Sequence, residues 1–342
     1  MVQYPFVYKC SCSVPFVNIC SIHKMLLSKR FDDPKVSKEY VSCRPRYPST
    51  IFQTIMNYVN ESCMKEDSGK THALAVDAGC GPGLMSTVFL APYFDKVLGV
   101  DISESQIEQA NLNNRYVNIE YKFCKFIFHT NNKNHFVFDR KKQYFRVSKA
   151  ESLPVKDKSV TLVQVAATLH WLDHEKFYRE CDRVLVPGGV IAAFCYSLNM
   201  RFDHPRAPHI TEVLQEVNTR LTSPDNPYFV EREELVIQKY TNLSLQIPYN
   251  DTKRVDDKYI RIQTTVAGLF RFYRSLSFVR LYLESCRENL EWWETCFQRI
   301  GSKSKLKFLQ LPVGKAIARQ HLTLKLIHLL IALLKFSAFF QQ

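Results

Sequence analysis

One short stretch constrains this chain more than any other: Val76-Asp77-Ala78-Gly79-Cys80-Gly81-Pro82-Gly83. An apolar run over 73–77 leads into three glycines at alternate positions. Glycine lets a chain reverse tightly and leaves room for a ligand against the backbone. The stretch reads as strand, tight turn and helix start. The rhythm then repeats. Residues 97–101 form a second strand-like run, followed by Ser103 as a helix cap with acids in the first turn. Residues 159–165 are a third β-rich run. Residues 177–185 have helical apolar spacing, stopped by Pro187-Gly188-Gly189, and 190–196 read as a buried strand. Strands alternating with helices over 73–196 predict an α/β fold with a mostly parallel sheet. Ile51, Ile55, Tyr58 and Val59 predict a helix over 50–65. Beyond the core, helices are expected over 209–221, 259–273 and 278–297, and a strand over 243–247.

The turn carries its own chemistry. Asp77, at the strand end, has a carboxylate that accepts hydrogen bonds or meets a cationic ligand. Gly79, Gly81 and Gly83 make space, and Pro82 removes one backbone donor, so the following helix need not face a pyrophosphate. Asp101 ends the next strand, 24 residues after Asp77, where an acid accepts both hydroxyls of a ribose. Dinucleotide-dependent oxidoreductases share such a turn, but no downstream catalytic set of theirs follows here. Glu151, in the loop Ala150-Glu151-Ser152-Leu153-Pro154, stands at the sheet edge as a ligand contact or a solvated acid. His170, after the third strand, faces three readings: a satisfied structural histidine, a wall of the ligand site, or a base. Trp171 is read as packing on the next helix.

The chain has 342 residues, 46% hydrophobic and 23% charged, which supports a folded core with additions. Its net charge of +13 is concentrated in two blocks, 121–149 and 300–342, each with an excess of seven positive charges. The remainder is near neutral, without the diffuse positive field that a phosphate backbone needs, so a nucleic-acid partner is not expected. Residues 121–149, aromatic and basic, break the strand–helix rhythm and read as an insertion. Eleven cysteines without a CxxC or a repeat indicate a reducing compartment, and no metal set is seen. No basic leader precedes a long apolar run, so a cytoplasmic location is expected. Residues 322–340 are apolar but interrupted by Lys325, His328 and Lys335, as in an amphipathic helix on the protein or in peripheral contact with a membrane. The expected organisation is an N-terminal extension over 1–30, one domain over 31–299 and a C-terminal extension over 300–342.

The ordered set VDAGCGPG at 76–83, GVDIS at 99–103, AESLP at 150–154, SVTLVQVAATLHW at 159–171 and RVLVPGG at 183–189 resembles class I S-adenosylmethionine-dependent methyltransferases. FDD at 31–33 and YVSCRPRYP at 40–48 resemble the N-terminal segment of the small-molecule branch that includes trans-aconitate methyltransferase. Thr161 stands where many relatives carry an acid. The resemblance implies a Rossmann-like fold and S-adenosylmethionine as cofactor, held by Asp77, Gly79, Gly81, Gly83, Asp101 and Glu151. It implies a small-molecule acceptor, with a carboxylate the favoured group. Arg44, Arg46 and Tyr47 are candidates to bind it, Arg44 and Arg46 serving alternatively for the methionine carboxylate. His170 is the candidate base for an acceptor that must lose a proton. RNA or protein methylation, or cofactor binding without catalysis, are the alternatives. No obligate protein partner is inferred.

Overall fold

The computed structural model describes residues 34–62, 72–123, 150–242, 245, 247–301 and 305–319. Two helices open it, α1 (Pro34–Cys43) and α2 (Ser49–Ser62). Then come β1 (His72–Ala78), a 3-10 helix (Thr87–Tyr93), β2 (Phe94–Asp101), α3 (Glu104–Asn113) and β3 (Ile119–Phe123). After the 150–159 loop follow β4 (Val160–Ala166), a short 3-10 turn (Leu169–Trp171), α4 (His174–Val184), β5 (Leu185–Tyr196) and β6 (Arg201–Asp203). The last third contains α5 (Ala207–Leu221), α6 (Glu231–Ile237), β7 (Asp251–Thr265), α7 (Val266–Arg274), α8 (Ser277–Ser285), α9 (Arg287–Ile300) and β8 (Lys305–Arg319).

The eight strands form one sheet. Strands β3, β2, β1, β4 and β5 pair in that order, all parallel. β8 runs antiparallel beside β5, and β7 pairs along β8 from Asp251↔Arg319 to Thr265↔Lys305. Because β7 takes one edge of β8, β5 and β6 share the other, one beyond the other along β8. This is the Rossmann-like α/β arrangement expected, with β1 central and a crevice where the strand order reverses.

Both faces of the sheet are covered. Along β5, Ala192, Phe194 and Tyr196 enter one core with Ile51, Phe52 and Ile55 of α2, while Ile191, Ala193 and Cys195 enter a second core with Phe177 and Cys181 of α4. Strand alternation thus feeds two layers of helices. Apolar residues on α5 at Ile210, Val213, Leu214, Val217 and Leu221 keep helical spacing and are all buried. Capping sets helix starts: Ser103 Oγ, the cap expected, accepts from the Gln106 N–H, and in the structure the Asp173 carboxylate accepts from the Lys176 N–H.

Four expectations change. Residues 259–265 are strand, not helix: β7 extends to Thr265, and only then does α7 begin, with the Thr265 hydroxyl accepting from the Gly268 N–H. Tyr121, Lys122 and Phe123 belong to β3, so the insertion expected from 121 starts after Phe123; residues 124–149 lie outside the described residues. The boundary expected at 300 precedes β8, so 305–319 are part of the sheet rather than an extension. The helix expected over 278–297 is broken at Cys286 into α8 and α9. The extension over 1–30, the run 322–340 and most of 243–247 lie outside the described residues. Among the described residues no helix is long and apolar enough to cross a membrane.

Candidate active site

β1 delivers the chain into a reversal at Gly79 (φ +71°) and Gly81 (φ +54°), left-handed values that suit glycine. The two glycines have different surroundings. A Cβ at Gly79 would run into the Thr168 side chain, whose hydroxyl donates to the Gly79 carbonyl at 3.0 Å. A Cβ at Gly81 would meet nothing within 4 Å among the described residues. Gly83 is closed off by the Tyr121 ring. Gly79 and Gly83 therefore pack the turn against its neighbours, and Gly81 presents bare backbone to the crevice beyond the strand ends.

Asp101 stands across from it. Its Oδ2 accepts the Gly81 N–H at 2.8 Å and its Oδ1 accepts the Ser103 N–H at 2.9 Å. Backbone N–H groups orient both oxygens of the half-buried carboxylate.

Asp77 is fully buried. Its Oδ2 accepts from the Ser86 hydroxyl at 2.9 Å and the Thr87 hydroxyl at 2.6 Å, fastening the end of β1 to the 3-10 helix. Burial pushes its carboxyl up to about 6, against the lowering effect of those hydroxyls. Between the unfolded value and about 6 the folded protein holds a proton that the unfolded chain has released. This group's contribution to stability is thus present at low pH and is lost as pH rises through about 6. Asp77→Asn is expected to gain in thermal midpoint relative to wild type as pH rises from 4 to 7. A difference that stays flat or narrows in parallel melting curves over that window contradicts the assignment.

Glu151 uses Oε1 to accept the Asp173 N–H at 2.9 Å, tying its loop to the start of α4. The same loop is clamped by Arg183, which donates to the Leu153 and Val155 carbonyls at 3.0 and 3.1 Å.

A cavity of about 100 Å³ lies beyond β4 and β5, lined in part by Tyr40, Arg44, His170, Tyr196, Glu233 and Phe278. Arg44 is fixed in it. Nη1 donates to the Tyr196 hydroxyl at 2.7 Å, Nη2 to the Ser275 carbonyl at 2.9 Å, and the guanidinium lies 4.6 Å from the Tyr40 ring centre. Its Nε is buried without a hydrogen-bond partner, and no carboxylate among the described residues pairs with it. Arg46 is exposed and does not line this cavity. Tyr47 is buried in the core, its ring 4.7 Å from that of Phe194 and 5.8 Å from that of Tyr196.

His170 lines the cavity, yet its Nδ1 is bonded to the Tyr240 hydroxyl at 2.8 Å. Burial, helped by the positive charge of Arg232, pushes its pKa down to about 3. It is neutral at physiological pH and a weak base, which favours the wall and structural readings over the catalytic one. Sequence reasoning missed Tyr40, Tyr196, Thr168 and Tyr240. Only Thr168 had a signal, its place just past a strand's carboxyl end. The described residues contain no metal-ligating cluster, and Cys43, Cys80, Cys181, Cys195, Cys286 and Cys296 are free thiols.

The parallel sheet, the glycine turn, the acid at the end of the next strand and the cavity at the carboxyl ends of the strands make up a Rossmann-like α/β domain. Residues 76–193 match the family described as Methyltransferase domain. The chain is 32% identical over 171 residues to a Dictyostelium discoideum protein named as a methyltransferase, covering 49% of this chain and 51% of that protein. It is 27% identical over 184 residues to a Saccharomyces cerevisiae protein named as an S-adenosylmethionine-dependent methyltransferase, covering 54% and 52%. The chain thus spans about half the length of these curated relatives. In fold it is similar to a solved Anaeromyxobacter dehalogenans protein described as a type II methyltransferase, with a TM-score of 0.56 and 23% identity, covering 81% of this chain and 97% of that one.

Proposed function

We propose that this chain methylates a small acceptor through a carboxylate held by Arg44. The observation that carries the reading is a fixed guanidinium lining a cavity, with no carboxylate partner among the described residues. A buried cation without a counter-ion is costly unless an anion arrives to pair with it.

The residues of the glycine turn fit S-adenosylmethionine. Gly81 leaves its backbone open, and Asp101 offers a carboxylate already oriented for the ribose hydroxyls. When bound, the cofactor supplies a methyl group on a sulfonium, which an acceptor oxygen takes up in line, leaving a thioether. Asp77 acts on the same end of the site by holding Ser86 and Thr87, and Glu151 by holding its loop to α4. A carboxylate acceptor is already ionised and needs no base, which suits a site whose histidine is neutral and weakly basic. Tyr40 and Tyr196 bracket the arginine, so its charge is held in one place rather than swinging on a flexible stem.

The test is transfer of labelled methyl to a panel of small di- and tricarboxylates and to total RNA. Incorporation into a carboxylate is expected. Arg44→Ala should lower kcat/KM about 30-fold, the equivalent of about 2 kcal/mol for a charge-assisted contact. Cofactor affinity should change little. A loss of cofactor affinity instead would move Arg44 to the methionine carboxylate. Incorporation only into RNA, abolished by high salt, would overturn the reading.

A further inference from the structure

The outer wall of the cavity is α6, which contributes Glu233, Val236 and Ile237. Its end is unusual. The Tyr240 N–H bonds the Leu235 carbonyl at 2.9 Å and the Lys239 N–H bonds the Val236 carbonyl at 2.9 Å. That pattern is the Schellman termination, whose left-handed position normally belongs to glycine. Here Lys239 occupies it at φ +56°, and Tyr240 follows at φ +59°. Two successive side-chain-bearing residues in the left-handed region persist only where the surroundings hold them.

What holds them comes from β7. Arg254 Nη2 donates to the Lys239 carbonyl at 2.8 Å, and Nη1 to the Tyr240 carbonyl at 3.1 Å. Asp256 grips the same guanidinium through both oxygens, at 2.7 Å each. The turn so fixed aims Tyr240 inward, where its hydroxyl meets His170 Nδ1. Tyr240 is buried, and His170 itself lines the cavity. A continuous chain of contacts therefore runs from the sheet edge to the cavity wall.

We propose that Arg254 is a positioning residue for the acceptor cavity: it holds the strained Lys239–Tyr240 turn, and through it α6 and the Tyr240–His170 contact. The proposal rests on the reading of this cavity as the acceptor site for its consequence in turnover, but not for its structural content. Removing the guanidinium frees two carbonyls and lets the strained residues relax, which releases α6 from the wall. Glycine at 239 takes the left-handed conformation without strain, so it should replace the clamp in part.

The experiment compares full-length wild type, Arg254→Gln, Lys239→Gly and the double variant by amide hydrogen exchange over residues 231–240, with thermal midpoints and titration by S-adenosylhomocysteine. Arg254→Gln is expected to speed exchange over this segment at least tenfold, with S-adenosylhomocysteine affinity within threefold of wild type. Adding Lys239→Gly should recover most of the protection, which a general loss of β7 packing would not permit. Unchanged exchange in Arg254→Gln, or a loss that Lys239→Gly does not reduce, overturns the proposal. If the segment loosens and recovers as expected while kcat and KM for the methylated carboxylate stay at wild-type values, Arg254 still holds the turn, and it is the acceptor reading of the cavity that fails.

Discussion

Gly81→Val is expected to abolish measurable S-adenosylmethionine binding in a protein that still folds. The free protein has room for the new atoms, because nothing among the described residues lies within 4 Å of a Cβ at this position. Its conformational cost comes from φ +54°, which a β-branched residue tolerates badly, and is on the order of 1–3 kcal/mol. The larger effect falls on the ligand, since the side chain fills the crevice that the backbone leaves open. Loss of affinity by at least about 100-fold, or about 2.7 kcal/mol, is expected by calorimetric titration. Gly79→Ala supplies the contrast. There the added methyl meets Thr168, so folding rather than binding should suffer first. Equal cofactor affinity for folded Gly81→Val and wild type would remove this glycine from the site.

The second large effect is expected at Arg183. Its guanidinium meets Glu180 through two bonds of 2.8 and 2.6 Å, Asp157 at 2.6 Å, and two loop carbonyls. Glu180 is buried and also accepts the Leu153 N–H. Arg183→Met leaves this carboxylate without its cation and releases the 150–155 loop. With the carboxylate buried and the arginine 34% exposed, removing the cation costs about 2 kcal/mol, which for a chain of this size lowers the thermal midpoint by roughly 3–6 °C. Replacing Glu180 by Gln in the same variant should return a good part of that loss, because the stranded charge is then gone. A single variant that melts with wild type, or a double variant no better than the single, would show that the cluster contributes little.

The central part of the fold was legible because two periodicities and a turn agree there. Residues 73–101 and 159–196 combine alternating or continuous apolar strands with capped helices, and β1, β2, β4, α4 and β5 stand where those patterns lie. β3 was hidden because Tyr121, Lys122 and Phe123 share the aromatic and basic composition of the residues after them. β7 was read partly as helix because Tyr259, Ile260 and Ile262 suit either period when the chain runs on into α7. At an exposed sheet edge the strand lacks the apolar run that marks a buried one. In the site, the glycines and acids announce themselves by spacing along one segment. The cage around Arg44 does not, because Tyr196 and Phe272 reach it from parts of the chain far from the segment that holds Tyr40 and Arg44. Nor does the α6 termination, since the residue in glycine's usual place is a lysine.

β8 has a consequence for how such a chain is made. Its partners β5 and β7 are separated in sequence by α5 and α6, and neither pairs with the other. Until residues 305–319 arrive, the C-terminal side of β5 is an open edge carrying Val190 to Tyr196, and β7 is a ribbon with no neighbour. On a ribosome the parallel half from β3 to β5 can assemble early, but the antiparallel half waits for β8. That interval leaves unpaired backbone on a strongly apolar strand, the condition under which chains pair with each other instead of themselves. Nascent chains stalled before residue 305 should therefore be the species that chaperones hold longest.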